Sequence, residues 1–171
     1  MADIYPGYVG FSRSNGTMGK LIRFGESISG GRGEVNHMFV VDNVRDGIGV
    51  IQAEMKGVTR GEKMTGEYLI VKPPKDVSLT RTLKFARAQV GIEYGLWTDI
   101  GIGIDMVTWQ WVPAFRGARK ESWICSALGA ESLRYGGWLR HFIDIYTVTP
   151  QQALDALIAD GAQIVLDTIH T

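Results

Sequence analysis

Residues 35–54 read VNHMFVVDNVRDGIGVIQAE, and this stretch decides the fold. Its two ends, residues 35–41 and 50–54, are rich in the β-branched and aromatic residues that favour strands. Between them lies Asp46-Gly47, a dipeptide favoured in tight hairpin turns because both residues tolerate positive φ. The stretch therefore predicts two antiparallel strands joined by a short turn.

The pairing of these two strands places the polar side chains on particular faces. If the Asp-Gly dipeptide forms a two-residue turn, Phe39 faces Glu54 across the hairpin. Glu54 then lies on the same sheet face as His37, one diagonal step away, at a distance of roughly 7–8 Å. Asp42 falls on the opposite face, because successive side chains of a strand alternate. The sequence thus predicts that Glu54, rather than Asp42, holds the imidazole of His37.

A second informative stretch surrounds Cys125, the only cysteine of the chain. Residues 121–133 read ESWICSALGAESL, and their small and apolar side chains fit a helix that begins near Ser122, a residue type that caps helices. Cys125 would then lie in the first turn, where the macrodipole and the unpaired N–H groups favour a thiolate. Two interpretations stay open: a nucleophile, or a small buried apolar residue.

The remaining pattern predicts an α+β fold, in which an antiparallel sheet packs against several helices. Pro and Gly residues and helix caps divide the chain into short elements. A long aromatic segment, 92–119, is interpreted either as core or as the wall of a substrate cleft. The predicted strands are 5–12, 35–41, 50–54, 67–72, 143–148 and 163–166, the predicted helices are 17–28, 78–90, 122–135 and 149–161, and 57–66 is predicted to be a polar loop.

Length and charge narrow the classes of function. The 171 residues fit one domain, 1–171, and 18 basic residues balance 18 acidic ones, which gives no net field toward nucleic acid. No cysteine and histidine cluster has the spacing of a metal site, so no cofactor or metal is expected. No apolar run is long enough to cross a membrane, and the N-terminus lacks a signal-peptide pattern, so the cytoplasm is the default expectation.

Three segments together resemble the circularly permuted papain-like hydrolases of the NlpC-type superfamily. They are the strand around His37, the segment 50–58 (VIQAEMKGV), and the helix start around Cys125. A tyrosine before the cysteine, Tyr94 in the segment 91–94, adds to the likeness. The resemblance covers most of residues 35–135, and the long insert between Tyr94 and Cys125 departs from the family pattern.

The resemblance implies a catalytic triad in the order His, polar residue, Cys. Cys125 would be the nucleophile, His37 its general base and later acid, and Glu54 the group that fixes the imidazole. The backbone N–H of Cys125 would donate to the oxyanion, and Tyr94 is a second candidate donor. The implied reaction is cleavage of an amide bond in a peptide or peptidoglycan fragment through a thioester.

Two other functions fit the same residues. The aromatic segment also suits hydrolysis or acyl transfer on a lipid substrate, as in some permuted relatives. Alternatively, the fold persists without catalysis as a binding or structural module of a larger assembly, such as a phage particle. The sequence leaves the oligomeric state open. Virion association or non-classical export also stays open, and the other two histidines, His141 and His170, are expected on the surface and in a frayed terminus.

Overall fold

The computed structural model describes residues 3–13, 34–54, 56–94, 122–138 and 148–171. The predicted helix 17–28 and His141 lie outside these ranges, as do most of the predicted strand 143–148 and most of the aromatic segment. The strands are β1 (Val9–Ser12), β2 (His37–Asn43), β3 (Gly49–Glu54), β4 (Gly57–Lys63), β5 (Tyr68–Lys72), β6 (Glu93–Tyr94), β7 (Ser122–Trp123) and β8 (Gln163–Asp167). The helices are α1 (Leu79–Ala88), α2 (Cys125–Gly136) and α3 (Pro150–Ala159).

Within the described ranges, six strands form one antiparallel sheet in the order β4-β3-β2-β1-β5-β8. The strands β6 and β7 pair separately and in parallel. Helix α2 contacts β2, β3 and α1, so it lies across the middle of the sheet. This architecture confirms the predicted α+β class.

The sheet buries apolar side chains on both faces. We call the face that packs against the helices the helix face, and the opposite one the His37 face. On the helix face, Met38 and Val40 belong to the same buried cluster as Leu128 and Leu133 of α2. Alternation along β2 places the intervening residues on the other face. The buried apolar residues of the His37 face are Tyr8, Phe39, Val41, Val50 and Ile70.

The predicted register of the β2–β3 hairpin is wrong by two residues. Val40 pairs with Ile51 and Val41 with Val50, and a bulge then shifts the pairing so that Asn43 lies opposite Gly49. The bulge and the longer loop absorb residues that a two-residue turn would have left in the strands. Because the shift is an even number of residues, each side chain keeps its predicted face.

Residues 57–63, predicted as part of a polar loop, instead form the edge strand β4. Gly57 has a φ of +106°, which lets the chain reverse tightly after Glu54 and pair with β3. Val58 is buried, whereas Arg60 is exposed. Polar residues are typical of an edge strand, which explains why composition alone indicated a loop.

The predicted helix caps are correct for two of the three described helices. Ser78 accepts a hydrogen bond from the N–H of Arg81, and Thr149 forms a capping box with Gln152. Ser122 is not the cap of α2, because it belongs to β7 and the N-cap position is Ile124. The helix begins later than predicted, and the isoleucine at its N-cap has no side-chain oxygen to accept a hydrogen bond from the first turn.

Gly10 on β1 provides the space for a buried ring on the His37 face. It pairs with Phe39, and a Cβ there would overlap Cε2 and Cζ of that ring and approach Ile70 Cδ1 at 2.9 Å. Phe39 is 1% exposed, so its ring has little room to move. We expect Gly10→Ala to lower the free energy of unfolding by about 1–3 kcal/mol, measured by urea denaturation.

A double-mutant cycle separates this overlap from a change in strand propensity. Phe39→Leu removes the ring that a new methyl group would meet. In that background Gly10→Ala should cost clearly less than in the wild-type chain. Equal costs in both backgrounds would show that the Phe39 ring is not what excludes a side chain at position 10.

Candidate functional site

His37 is the first residue of β2 and lies at one end of the His37 face. Its Nε2 lies 3.0 Å from Oε1 of Gln52 on the neighbouring strand. The imidazole centroid is 6.5 Å from that of Phe39, two residues along β2. The ring is therefore held by a polar partner across the hairpin and by an aromatic neighbour along its own strand.

The amide of Gln52 is held by two carboxylates. Its Nε2 lies 2.8 Å from Oε1 of Glu54 and 3.0 Å from Oε2 of Glu62. Ionised carboxylates only accept hydrogen bonds, so the amide nitrogen must be the atom that faces them. The amide oxygen is then directed at His37 and accepts a hydrogen bond from Nε2–H. This geometry leaves Nδ1 of the neutral imidazole as the basic nitrogen.

Lys56 completes the network at its exposed end. Its ammonium group donates a hydrogen bond to Glu62 and lies 3.5 Å from Glu54 Oε2. The hydrogen bond from Lys56 lowers the pKa of Glu62 and, reciprocally, raises the pKa of Lys56. Glu62 therefore stays ionised at neutral pH, as its role as an acceptor requires.

Burial governs the protonation of His37. It lowers the pKa of His37 below the ordinary histidine value, and it outweighs the opposing effects of the Gln52 hydrogen bond and of the Glu54 charge. Because histidine is neutral above its pKa, His37 is uncharged at neutral pH. An uncharged imidazole is the form that accepts a proton.

A cavity of about 680 Å³ opens beside this network. His37, Gln52, Glu54 and Glu62 line it together with Arg13 and Lys63. It is large enough for a small ligand or for part of a peptide. Cys125 is not among the described residues that line it.

Cys125 is the first residue of α2 and is 5% exposed. Helix α2 packs on the helix face, where a Cβ at Gly129 would lie 2.5 Å from Sδ of Met38. Met38 is the neighbour of His37 in β2, and its side chain points to the other side of the sheet. The structure thus joins His37 and Glu54 through Gln52, and it places Cys125 on the helix that covers the opposite face.

Tyr94 lies in a strand that pairs with the residues just before the start of α2. It is the second residue of β6, and it pairs with Trp123 of β7, two residues before Cys125. Its role as an oxyanion donor stays a prediction.

Gln52 and Glu62 were not predicted from the sequence. Gln52 is the only polar residue between Val50 and Ala53, and it is 6% exposed. A lone amide within an apolar strand was the signal that it has a specific partner, since buried polar groups are hydrogen-bonded. Glu62 gave no such signal because its segment was predicted to be a loop.

His170, predicted to lie in a frayed terminus, has partners in the structure. Its Nδ1 lies 2.7 Å from Asp167 Oδ2, and its Nε2 lies 3.7 Å from Glu34 Oε2. The hydrogen bond with Asp167 raises the pKa of His170 above its ordinary value. The contact with Glu34 lies between the C-terminal residues and the segment that enters β2.

In the described part of the chain, no group of three or more His, Cys, Asp or Glu side chains is placed to hold a metal ion. Its helices are also too short, or not apolar enough, to cross a membrane. Comparison of the chain with protein-family models gave no match, and comparison with curated protein sequences gave none either.

Proposed function

We propose that the chain is a cysteine hydrolase that cleaves an amide bond, with Cys125 as nucleophile and His37 as general base. The observation that carries the proposal is the 3.0 Å contact between His37 Nε2 and Gln52 Oε1. It leaves Nδ1 as the proton acceptor of a neutral imidazole. A positioned imidazole of this kind is what a thiol nucleophile requires.

In this proposal Gln52 has the role that was predicted for Glu54, which is to orient the imidazole of His37. As a hydrogen-bond acceptor for Nε2–H, it orients the ring and stabilises the imidazolium that forms when His37 takes the thiol proton. Glu54 holds the Gln52 side chain in place, because it accepts a hydrogen bond from the amide nitrogen of Gln52. The third polar group of the proposed site is therefore the amide of Gln52, which is hydrogen-bonded to two carboxylates.

In the proposed reaction, Cys125 transfers its proton to His37 Nδ1, and the thiolate attacks the amide carbonyl carbon. His37 returns the proton to the leaving amine, and a thioester remains on Cys125. Water, deprotonated by His37, then attacks the thioester carbonyl carbon. The C–S bond breaks and releases the acid, and His37 returns the proton to the Cys125 thiolate. The scheme requires that Sγ of Cys125 and Nδ1 of His37 come within hydrogen-bonding reach around the end of β2.

The proposed substrate is a peptide, and the resemblance to NlpC-type hydrolases favours a peptidoglycan fragment. The cavity beside His37 supports a polar substrate, because its described lining includes Arg13, Lys63 and two glutamates. A lipid substrate is the alternative for the same residues. Parallel assays with peptidoglycan fragments and with acyl lipids distinguish them by which one is turned over.

Alkylation of Cys125 by iodoacetamide tests the proposed pair without a substrate. The chain has one cysteine, so labelling reports on this residue alone. We expect Cys125 to react faster than free cysteine at neutral pH, because proton transfer to His37 supplies thiolate. We expect His37→Ala to abolish that advantage.

The matched control is His170→Ala, which removes an exposed histidine at the other end of the described chain. Its labelling rate should equal that of the wild-type chain. A wild-type rate no greater than that of free cysteine, or a rate that does not depend on His37, would contradict the proposed nucleophile–base pair.

The placement of Cys125 on the helix face favours a second candidate function, a non-catalytic binding module. In that case the cavity beside His37 binds a peptide and Cys125 takes no part. Calorimetric titration with peptidoglycan fragments distinguishes the two functions. A binding module shows no turnover and loses affinity with Gln52→Ala but not with Cys125→Ala, whereas the hydrolase loses turnover with both.

A further inference from the structure

Two carboxylates hold the amide of Gln52. Glu54 comes from β3 and Glu62 from β4, and each accepts one of the two hydrogen bonds that the Gln52 amide nitrogen can donate. Lys56 bridges the two carboxylates from the turn between these strands. The amide nitrogen is thus saturated, and its orientation is determined by two charged acceptors.

The orientation of this amide determines the tautomer of His37. When the amide oxygen faces the ring, Nε2 must carry the proton. If the amide rotated by half a turn, its nitrogen would face the ring, and the neutral imidazole would be driven to the Nδ1–H form. That rotation would also direct the amide oxygen at two carboxylates, which cannot donate a hydrogen bond.

We propose that Glu54 and Glu62 are positioning residues that lock the Gln52 amide and thereby hold His37 as the Nε2–H tautomer. The imidazole is hydrogen-bonded to Gln52, and Glu54 acts on it through its charge. The catalytic consequence of this arrangement rests on the proposed function, since Nδ1 is the nitrogen that would take the proton of Cys125. The tautomer of His37 depends on neither a substrate nor Cys125.

Nitrogen-15 NMR of the imidazole measures the tautomer directly. The chain has three histidines, so the spectrum of His37→Ala assigns the His37 signals by difference. We expect the neutral ring of the wild-type chain to show a protonated Nε2 and an unprotonated Nδ1. In Glu54→Gln/Glu62→Gln, where both neighbours can donate as well as accept, we expect the Nδ1–H form to become populated.

A reciprocal substitution provides a rescue. In the Glu54→Gln/Glu62→Gln background, Gln52→Glu places an acceptor between two amides that can donate to it. This acceptor can only receive a hydrogen bond from the ring, so the Nε2–H tautomer should return. The matched control is Glu67→Gln, which makes the same chemical change at an exposed residue just before β5 and outside the network. It should leave the tautomer unchanged.

Turnover provides the second readout of this lock. With a substrate that is cleaved, we expect the double variant to lower kcat on the order of 10²-fold, with a smaller change in KM, because the base presents the wrong nitrogen. A wild-type Nδ1–H ring, a tautomer unchanged in the double variant, or a failed rescue would overturn the inference. Since NMR needs no turnover, failure of the proposed function would not be mistaken for failure of the lock.

Discussion

In the Cys125→Ala and His37→Ala variants we expect turnover of the peptide substrate to be lost while the fold is retained. Removal of Cys125 eliminates the atom that forms the thioester. Removal of His37 eliminates the general base, and positioned acid–base groups contribute about 10²–10⁴-fold to a rate. The measurement is kcat/KM of purified variants on peptidoglycan fragments, with circular dichroism to show that the fold is intact.

His170→Ala is the matched control for His37→Ala. His170 is exposed and is hydrogen-bonded to Asp167 rather than to the Gln52 network, so its loss should leave kcat/KM unchanged. If Cys125→Ala retained wild-type turnover, Cys125 would not be the nucleophile. Full activity of His37→Ala would likewise exclude it as the base.

Asp42→Asn should produce a large loss of stability. Asp42 is 3% exposed, and it accepts hydrogen bonds from Nε of Arg87 on α1 at 2.7 Å and from Nε of Arg60 on β4 at 2.9 Å. In the variant, an amide replaces a charged acceptor between two cationic donors. We expect the free energy of unfolding to fall by about 2–3 kcal/mol, measured by urea denaturation.

The same carboxylate predicts a pH dependence of stability. Burial alone would raise the pKa of Asp42, but hydrogen bonds from Arg87 and Arg60 outweigh it and hold the pKa below the ordinary value. A carboxyl group whose pKa is lower in the folded state stabilises the fold above its unfolded pKa. That stabilisation is lost as the pH falls through the folded pKa.

Asp46→Asn is the matched control, because it makes the same chemical change in an exposed turn. Its effect should stay within about 0.5 kcal/mol at any pH. The difference between the two variants should be largest near neutral pH and should shrink in acid. Equal denaturation midpoints for Asp42→Asn and the wild-type chain at neutral pH would show that the two arginine contacts contribute nothing.

Much of the fold follows from patterns that are local in sequence. Runs of β-branched and aromatic residues predicted strands that overlap β2, β3 and β5, and a serine and a threonine marked the starts of α1 and α3. These features depend on a few neighbouring residues, which is why one sequence is enough to find them. The predicted fold class and the opposite faces of Asp42 and His37 agree with the structure for the same reason.

The partner of His37 could not be predicted in the same way. A bulge near Asn43 shifts the hairpin by two residues, and in that register the Gln52 side chain reaches the imidazole. Glu62 reaches the same amide only because β4 is a strand, which depends on the reversal at Gly57. Both depend on how strands pair, and pairing is decided by the whole sheet rather than by a local pattern.

The sequence by itself determined the alternation that puts His37 and Glu54 on one face of a sheet, because that parity survives any even shift of register. Only the tertiary structure decided which face α2 covers. Packing of Gly129 against Met38 brings the Cys125 helix onto the side opposite the imidazole. Such a choice comes from the fit of buried surfaces far apart in the chain, and no spacing of residues encodes it directly.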